Sequence, residues 1–146
     1  MVNIVGKLGE EITAKWLEKQ NYKIIAQNWR CREGEIDIIA QKKAGNNLTF
    51  VEVKTRNLRN LDHQGILAVN EQKQAKLWLT AETFLSKYPE LAEYNCRFDL
   101  ALLTYKPLPK INQKSQQLIT LLQLNIPIFY QGYEFRIVNY IEGIIY

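Results

Sequence analysis

The sequence predicts an α/β or α+β fold around one mixed sheet. Three observations carry this. Residues 6–20 show helical periodicity, three strand-like runs follow between residues 22 and 56, and a second helical stretch is halted by Pro89 before a fourth strand. In the first helix Val5, Leu8, Ile12 and Trp16 form one apolar stripe, and Asn21 supplies a stop. YKIIAQNWR (22–30), GEIDIIA (34–40) and LTFVEVKTR (48–56) are rich in β-branched and aromatic residues, and the turn-rich QKKAGNN joins the last two. Residues 57–66 read as a polar loop. The second helix runs from about Asn70 to Tyr88. CRFDLALLTY (96–105) is the fourth strand, with Phe98, Leu100 and Leu102 on one face. Beyond it, QQLITLLQL is apolar without a clear period, and residues 125–146 mix strand-like runs with Pro and Gly.

At 146 residues the chain is expected to form one domain, 1–146. Its charge of +4 and pI near 9.0 are compatible with a nucleic-acid partner and equally with a plain solubility charge. Two distant cysteines, Cys31 and Cys96, and one histidine, His63, cannot build a usual Cys/His zinc site, so both are expected as free thiols. The segment MVNIVGKLGEE has no signal-like apolar core, and no apolar run approaches membrane-spanning length. The expectation is a cytoplasmic protein without membrane contact.

The two acidic strands hold the chemistry. If they form a simple hairpin turning at Ala44–Gly45, paired residue numbers sum to 89, so Asp37 faces Glu52 and Glu35 faces Lys54. Alternation then puts Glu35, Asp37, Glu52 and Lys54 on one surface, with Ile36, Ile38, Val51 and Val53 packed on the other. Opposed like charges are destabilising. Lys54 compensates part of this, and a hard divalent cation, Mg²⁺ or Mn²⁺, would compensate it better. Such an ion polarises a phosphoryl oxygen and acidifies a bound water, while Lys54 can orient that water or neutralise transition-state charge. A ladder of salt-bridged, solvated charges is the competing explanation.

Two helical acids compete as a fourth group. Glu11 shares a side with Lys7, Lys15 and Glu18 and suits an exposed ion pair with Lys15. Glu10 shares a face with Ala14 and Leu17, and a carboxylate on a packed face needs a partner. Glu10 is therefore the chosen residue, with simple complementarity to the helix dipole as the alternative. Arg30, Arg32, Arg56, Arg59, Lys73 and Lys76 surround this group as candidate phosphate contacts. Trp29 suits either base stacking or the core, and Asp99 a hydrogen-bond acceptor at a strand end.

These segments resemble the uncharacterised YraN-like family, whose members are expected to share the restriction-endonuclease-like fold of the PD-(D/E)xK nucleases. The resemblance lies in G-x-x-G-E-x-x-A-x-x-x-L (Gly6 to Leu17), N-W-R-C-R-x-G-E-I-D-I-I-A (Asn28 to Ala40) and F-V-E-V-K-T-R (Phe50 to Arg56), and covers residues 6–104. It implies an α-β-β-β-α-β core. Through the archaeal Holliday-junction resolvases, it implies Asp37 and Glu52 as metal ligands, Lys54 as the catalytic lysine and Glu10 as the helical acid. Ile36 stands where the superfamily's name has a proline, and residues 105–135 look longer than the usual connection and stay unassigned. The family has no established reaction.

The sequence therefore reads as a Mg²⁺- or Mn²⁺-dependent nuclease acting on DNA in preference to RNA, branched structures included. Arg30, Arg32, Arg56 and Lys73 are its nucleic-acid contacts. Resolvase-like cutting of two strands would require a homodimer, with residues 118–146 as the candidate interface and core packing explaining their apolar character at least as well. The alternative is a non-catalytic module that binds nucleic acid or protein.

Overall fold

The computed structural model describes residues 3–60, 71–109 and 122–145. Helix α1 spans Ile4–Lys19. It opens on Asn3, whose side-chain oxygen accepts from the Gly6 N–H at 3.0 Å and so satisfies one donor that the first turn leaves open. It closes at Asn21, whose left-handed φ of 68° cannot continue a helix. Three strands follow, β1 (Tyr22–Cys31), β2 (Gly34–Lys42) and β3 (Asn47–Asn57). A 3₁₀ turn covers Leu58–Asn60. Helix α2 spans Glu71–Lys87, and Pro89 opens a further 3₁₀ turn. Strands β4 (Asn95–Pro107), β5 (Ile128–Tyr130) and β6 (Tyr133–Ile145) complete the order.

The six strands form one sheet in the order β1-β2-β3-β4-β6-β5. Only β3 and β4 run parallel, over eleven pairs from Asn47–Asn95 to Asn57–Tyr105, and every other neighbour is antiparallel. A parallel pair needs a crossover, and α2 lies in the segment that joins these two strands. The fold is thus α+β, with the α-β-β-β-α-β order and a mixed sheet between two helices, consistent with a restriction-endonuclease-like core.

Each helix covers one sheet face. Leu8, Ile12, Trp16 and Leu17 of α1 bury against Ile38, Val51, Ala101 and Leu103. On the opposite face Ala81 and Phe84 of α2 bury against Ile36, Ile39, Phe50 and Phe98. Trp29 belongs to this second core, edge-on to Phe84 at 5.3 Å, so its ring is spent on packing.

The hairpin register is as expected: Ile38–Val51, Ile39–Phe50, Ala40–Thr49 and Gln41–Leu48 all sum to 89. Two details differ. The ladder stops at Ile38–Val51, one pair short of Asp37 and Glu52. Ile36 also does not share a face with Ile38: it packs with α2, and Ile38 packs with α1. The cause is a break in alternation at Asp37. Across from it, between the pairs Gln27–Ile38 and Trp29–Ile36, Asn28 holds a left-handed φ of 50°. The pleat is lost there and the inward direction changes.

The apolar C-terminal run resolves into the β5–β6 hairpin, with Gly132 in the turn at φ 85°. His63, the expected helix start at Asn70 and most of the apolar run at 116–124 lie outside the described residues, as do residues 110–121 of the unassigned stretch. Cys31 and Cys96 are free thiols. Among the described residues no helix is long and apolar enough to cross a membrane.

Candidate active site

The early end of the β2–β3 ladder creates the site. Where a backbone acceptor would face Val53, the Asp37 side chain takes its place: the Val53 N–H donates to Asp37 Oδ2 at 2.8 Å. The strands part here, and a cavity of about 720 Å³ opens between them and the first turns of α1. Asp37, Glu52, Lys54 and Glu10 all line it, with Arg30 and Arg56 at its margin. The four residues singled out as the chemical set are therefore gathered on one cavity.

Glu10 reaches the sheet because α1 approaches it closely one residue earlier. A Cβ at Gly9 would collide with Thr55 Oγ1 of β3, so only glycine permits this contact. One carboxylate oxygen of Glu10, Oε1, is buried with no hydrogen-bond partner. Burial raises the Glu10 pKa, as do Glu35 and Glu52, while a hydrogen bond with Asp37 works in the opposite direction. Asp37, itself 8% exposed, is pushed up from 3.8 to about 8 by burial and then by Glu52, against the Val53 N–H. Burial and mutual repulsion thus disfavour the charged form of both carboxyl groups at the fork.

The cations are distributed unevenly. Lys54 Nζ lies 2.9 Å from Glu52 Oε1, both side chains about four-fifths buried, so the expected compensation comes from within one strand. Arg30 Nε pairs with Glu35 Oε2 at 2.8 Å in the open. Arg56 is exposed at the cavity, and Lys73 lines a smaller cavity on the α2 side. Arg32 is not brought to either: it is exposed at the β1–β2 turn, beside Glu33.

A divalent cation fits the acids that are present. Hard oxygen donors are available, one of them buried and unpartnered, and a cation would offset the repulsion among the crowded carboxylates. The acids do not form a finished cage. Among the described residues no three His, Cys, Asp or Glu side chains stand together as a complete ligand set. That suits an ion such as Mg²⁺, which keeps several waters and takes one or two carboxylates plus a substrate phosphate.

Sequence reasoning missed several lining residues: Asn3, Lys7, Asn28 and Thr55. Lys7 lies three residues before Glu10 on the same helix, a spacing that could have flagged it. Glu11 is not the ion-pair partner of Lys15. It accepts from the Tyr130 hydroxyl at 2.8 Å, and Lys15 pairs with Glu18 at 3.5 Å. That contact bridges 119 residues, beyond what helical spacing reveals.

Asp99 has a structural role. Fully buried, it accepts two bonds from Arg97 at 2.9 and 3.0 Å, one from the Tyr140 hydroxyl at 2.6 Å and one from the Gly143 N–H at 3.0 Å. Burial drives the Tyr140 pKa up, and the Asp99 charge drives it further. Arg97 continues to the Tyr22 hydroxyl at 2.7 Å, tying β4 to β1 and β6.

Fold and cavity together define an α+β protein with a carboxylate–lysine cleft at the open fork of a mixed sheet. The chain belongs to the uncharacterised protein family UPF0102, the YraN-like family, whose pattern matches residues 9–103. It is 41% identical over 151 residues to a UPF0102 protein of Acaryochloris marina, covering 95% of this chain and 88% of that one. A UPF0102 protein of Trichodesmium erythraeum is 43% identical over 155 residues (94% and 86%). One from Synechocystis is 39% identical over 141 residues (94% of each).

Proposed function

We propose that this protein is a metal-dependent nuclease that hydrolyses phosphodiester bonds in DNA, branched structures included. The observation that carries the reading is the unpartnered, buried Glu10 oxygen beside Asp37, whose carboxyl pKa is raised by burial and by Glu52, in a cavity edged by arginines. Asp37 and Glu52 would hold Mg²⁺ or Mn²⁺, with Glu10 behind them. When bound, the ion supplies Lewis acidity toward a phosphoryl oxygen and a more acidic water.

The chain's own residues do the rest. Val53 N–H fixes the Asp37 carboxylate in one orientation. Lys54, paired with Glu52 at 2.9 Å, would offer its ammonium to the phosphate, where it would neutralise charge that builds up during attack. Arg30 and Arg56 bind flanking phosphates without reading sequence.

The test is cleavage of labelled single-stranded, duplex, flap and four-way-junction DNA with Mg²⁺ or Mn²⁺, beside Asp37→Ala and Lys54→Ala. The expected result is cutting by the parent alone, with both variants folded. Cutting by Lys54→Ala at the parent's rate would remove Lys54 from the mechanism.

One observation favours a second reading, a non-catalytic nucleic-acid- or protein-binding module: Glu52 and Lys54 are closed on each other, and the acids are not preassembled. Millimolar Mn²⁺ separates the two. A metal that binds the native state raises the melting temperature, and an unchanged melt with equal DNA binding by all three proteins would favour the module.

A further inference from the structure

On the α2 side of the Glu52–Lys54 pair lies a second cavity, of about 170 Å³. Glu35, Glu52 and Lys54 line both cavities, so the ion pair is the wall between them. Their chemistry differs. The large cavity is edged by carboxylates and arginines. The small one is floored by half-buried Leu77, by Thr80 and by the bare backbone of Gly34. The Thr80 hydroxyl already donates to the Lys76 carbonyl at 2.7 Å, so it offers little to a polar guest. A Cβ at residue 34 would come within 2.9 Å of that hydroxyl, so the slot depends on glycine there. Exposed Lys73 and Lys76, nearly one turn apart on α2, also line the slot.

We propose that this slot takes the base of an unpaired nucleotide whose phosphate lies against the Glu52–Lys54 wall, so that the protein acts beside nucleotides that have left the helical stack. The inference rests on the nuclease reading for the phosphate and on the slot alone for the base. A flat ring matches the apolar floor. The volume is below the roughly 300 Å³ at which sites for larger ligands begin, so it admits one ring system and excludes a base pair. The lysines at the edge suit the phosphate that follows, which an apolar peptide side chain in the slot would leave unexplained. A base seated behind the wall cannot stay stacked on the strand in the main cavity. Extruding it is expensive from an intact duplex and cheap from a bulge, mismatch or single strand.

The experiment measures binding in EDTA, without cleavage, by fluorescence anisotropy of labelled duplexes. Three are compared: fully paired, carrying one central bulged nucleotide, and carrying the same bulge without its base. The parent is expected to bind the base-bearing bulge about tenfold more tightly than the abasic one, the gain from burying the apolar face of one ring. Leu77→Trp, which fills the slot, is expected to erase that difference while binding the paired duplex as the parent does. Equal affinity of the parent for the two bulges overturns the proposal, and that comparison needs no variant to fold. A folded Leu77→Trp that keeps the preference overturns it too. In a parallel reaction of the same duplexes with Mg²⁺, cleavage of both bulges alike would leave the nuclease reading standing and remove the slot. A base preference lost in Leu77→Trp, with no cleavage of any substrate, would leave the slot and remove hydrolysis.

Discussion

Replacing Asp37 by Asn should make the metal-free protein more stable, and increasingly so as pH rises. The folded-state pKa of Asp37 stands at about 8 against 3.8 for the free side chain, because burial, Glu52 and Glu10 disfavour its charge. A raised carboxyl pKa contributes stability that is fully present below 3.8 and is lost as pH rises to about 8, because over that window the unfolded chain has released a proton that the folded chain retains. At 1.36 kcal/mol per pH unit the penalty is about 2 kcal/mol at pH 5 and roughly 4 kcal/mol at pH 7, levelling off above the folded pKa. Asparagine keeps an acceptor for the Val53 N–H and offers an N–H to Glu10, without the charge. At about 2–4 °C per kcal/mol for a chain of this size, Asp37→Asn should melt roughly 10 °C above the parent at pH 7. The assay is thermal melting by circular dichroism in EDTA at pH 5, 6, 7 and 8. Millimolar Mn²⁺ should then raise the parent's melt and leave that of Asp37→Asn unmoved. A variant no more stable than the parent at pH 8, or a gap independent of pH, would refute the reasoning.

Three more outcomes are expected. Gly9→Ala should destabilise the fold by about 1–3 kcal/mol through overpacking against Thr55, and adding Thr55→Ala should restore part of it. Denaturant titration of the double-mutant cycle checks this, and additive losses would mean that the contact is not shared. Asp99→Ala should cost about 3–5 kcal/mol by stranding the buried end of Arg97, as read from urea unfolding. A loss below about 1 kcal/mol would show that water replaces the carboxylate. Arg30→Ala with Arg56→Ala should weaken DNA binding and reduce the salt dependence of log Kd by roughly two phosphate contacts, while Arg32→Ala should change neither. An effect of Arg32 equal to theirs would move the binding track to the β1–β2 turn.

The legible parts of this protein are those that local pattern determines. The stripe Leu8–Ile12–Trp16, the stop at Asn21 and the turn at Ala44–Gly45 were enough for α1 and for the register of the hairpin. The register in turn brought Asp37 and Glu52 near each other. What alternation could not supply was the break at Asp37, because it depends on the left-handed Asn28 in a different strand. Ile36 was assigned to the wrong face for that reason. Glu10 was found from its packed face, whereas Thr55 was missed because its neighbour Gly9 is 46 positions away and presents no side chain. The roles of Glu11 and Asp99 were likewise hidden in Tyr130 and Tyr140, which reach them across the sheet.

The fork between β2 and β3 separates the proposed site from the contacts that keep the chain folded. Beyond Ile38–Val51, β3 gives its backbone to β4 on one side, along its full length, and to a single side chain on the other. The acids can therefore be exchanged for neutral residues without unpicking any strand pair, and the exchange at Asp37 should even relieve strain between charges. Drift thus meets no folding barrier at this point: a descendant could lose the acids and persist as a well-folded relic. Within the family, then, the integrity of the fork rather than the shape of the sheet is the trait that would separate members able to carry out the proposed chemistry from members unable to.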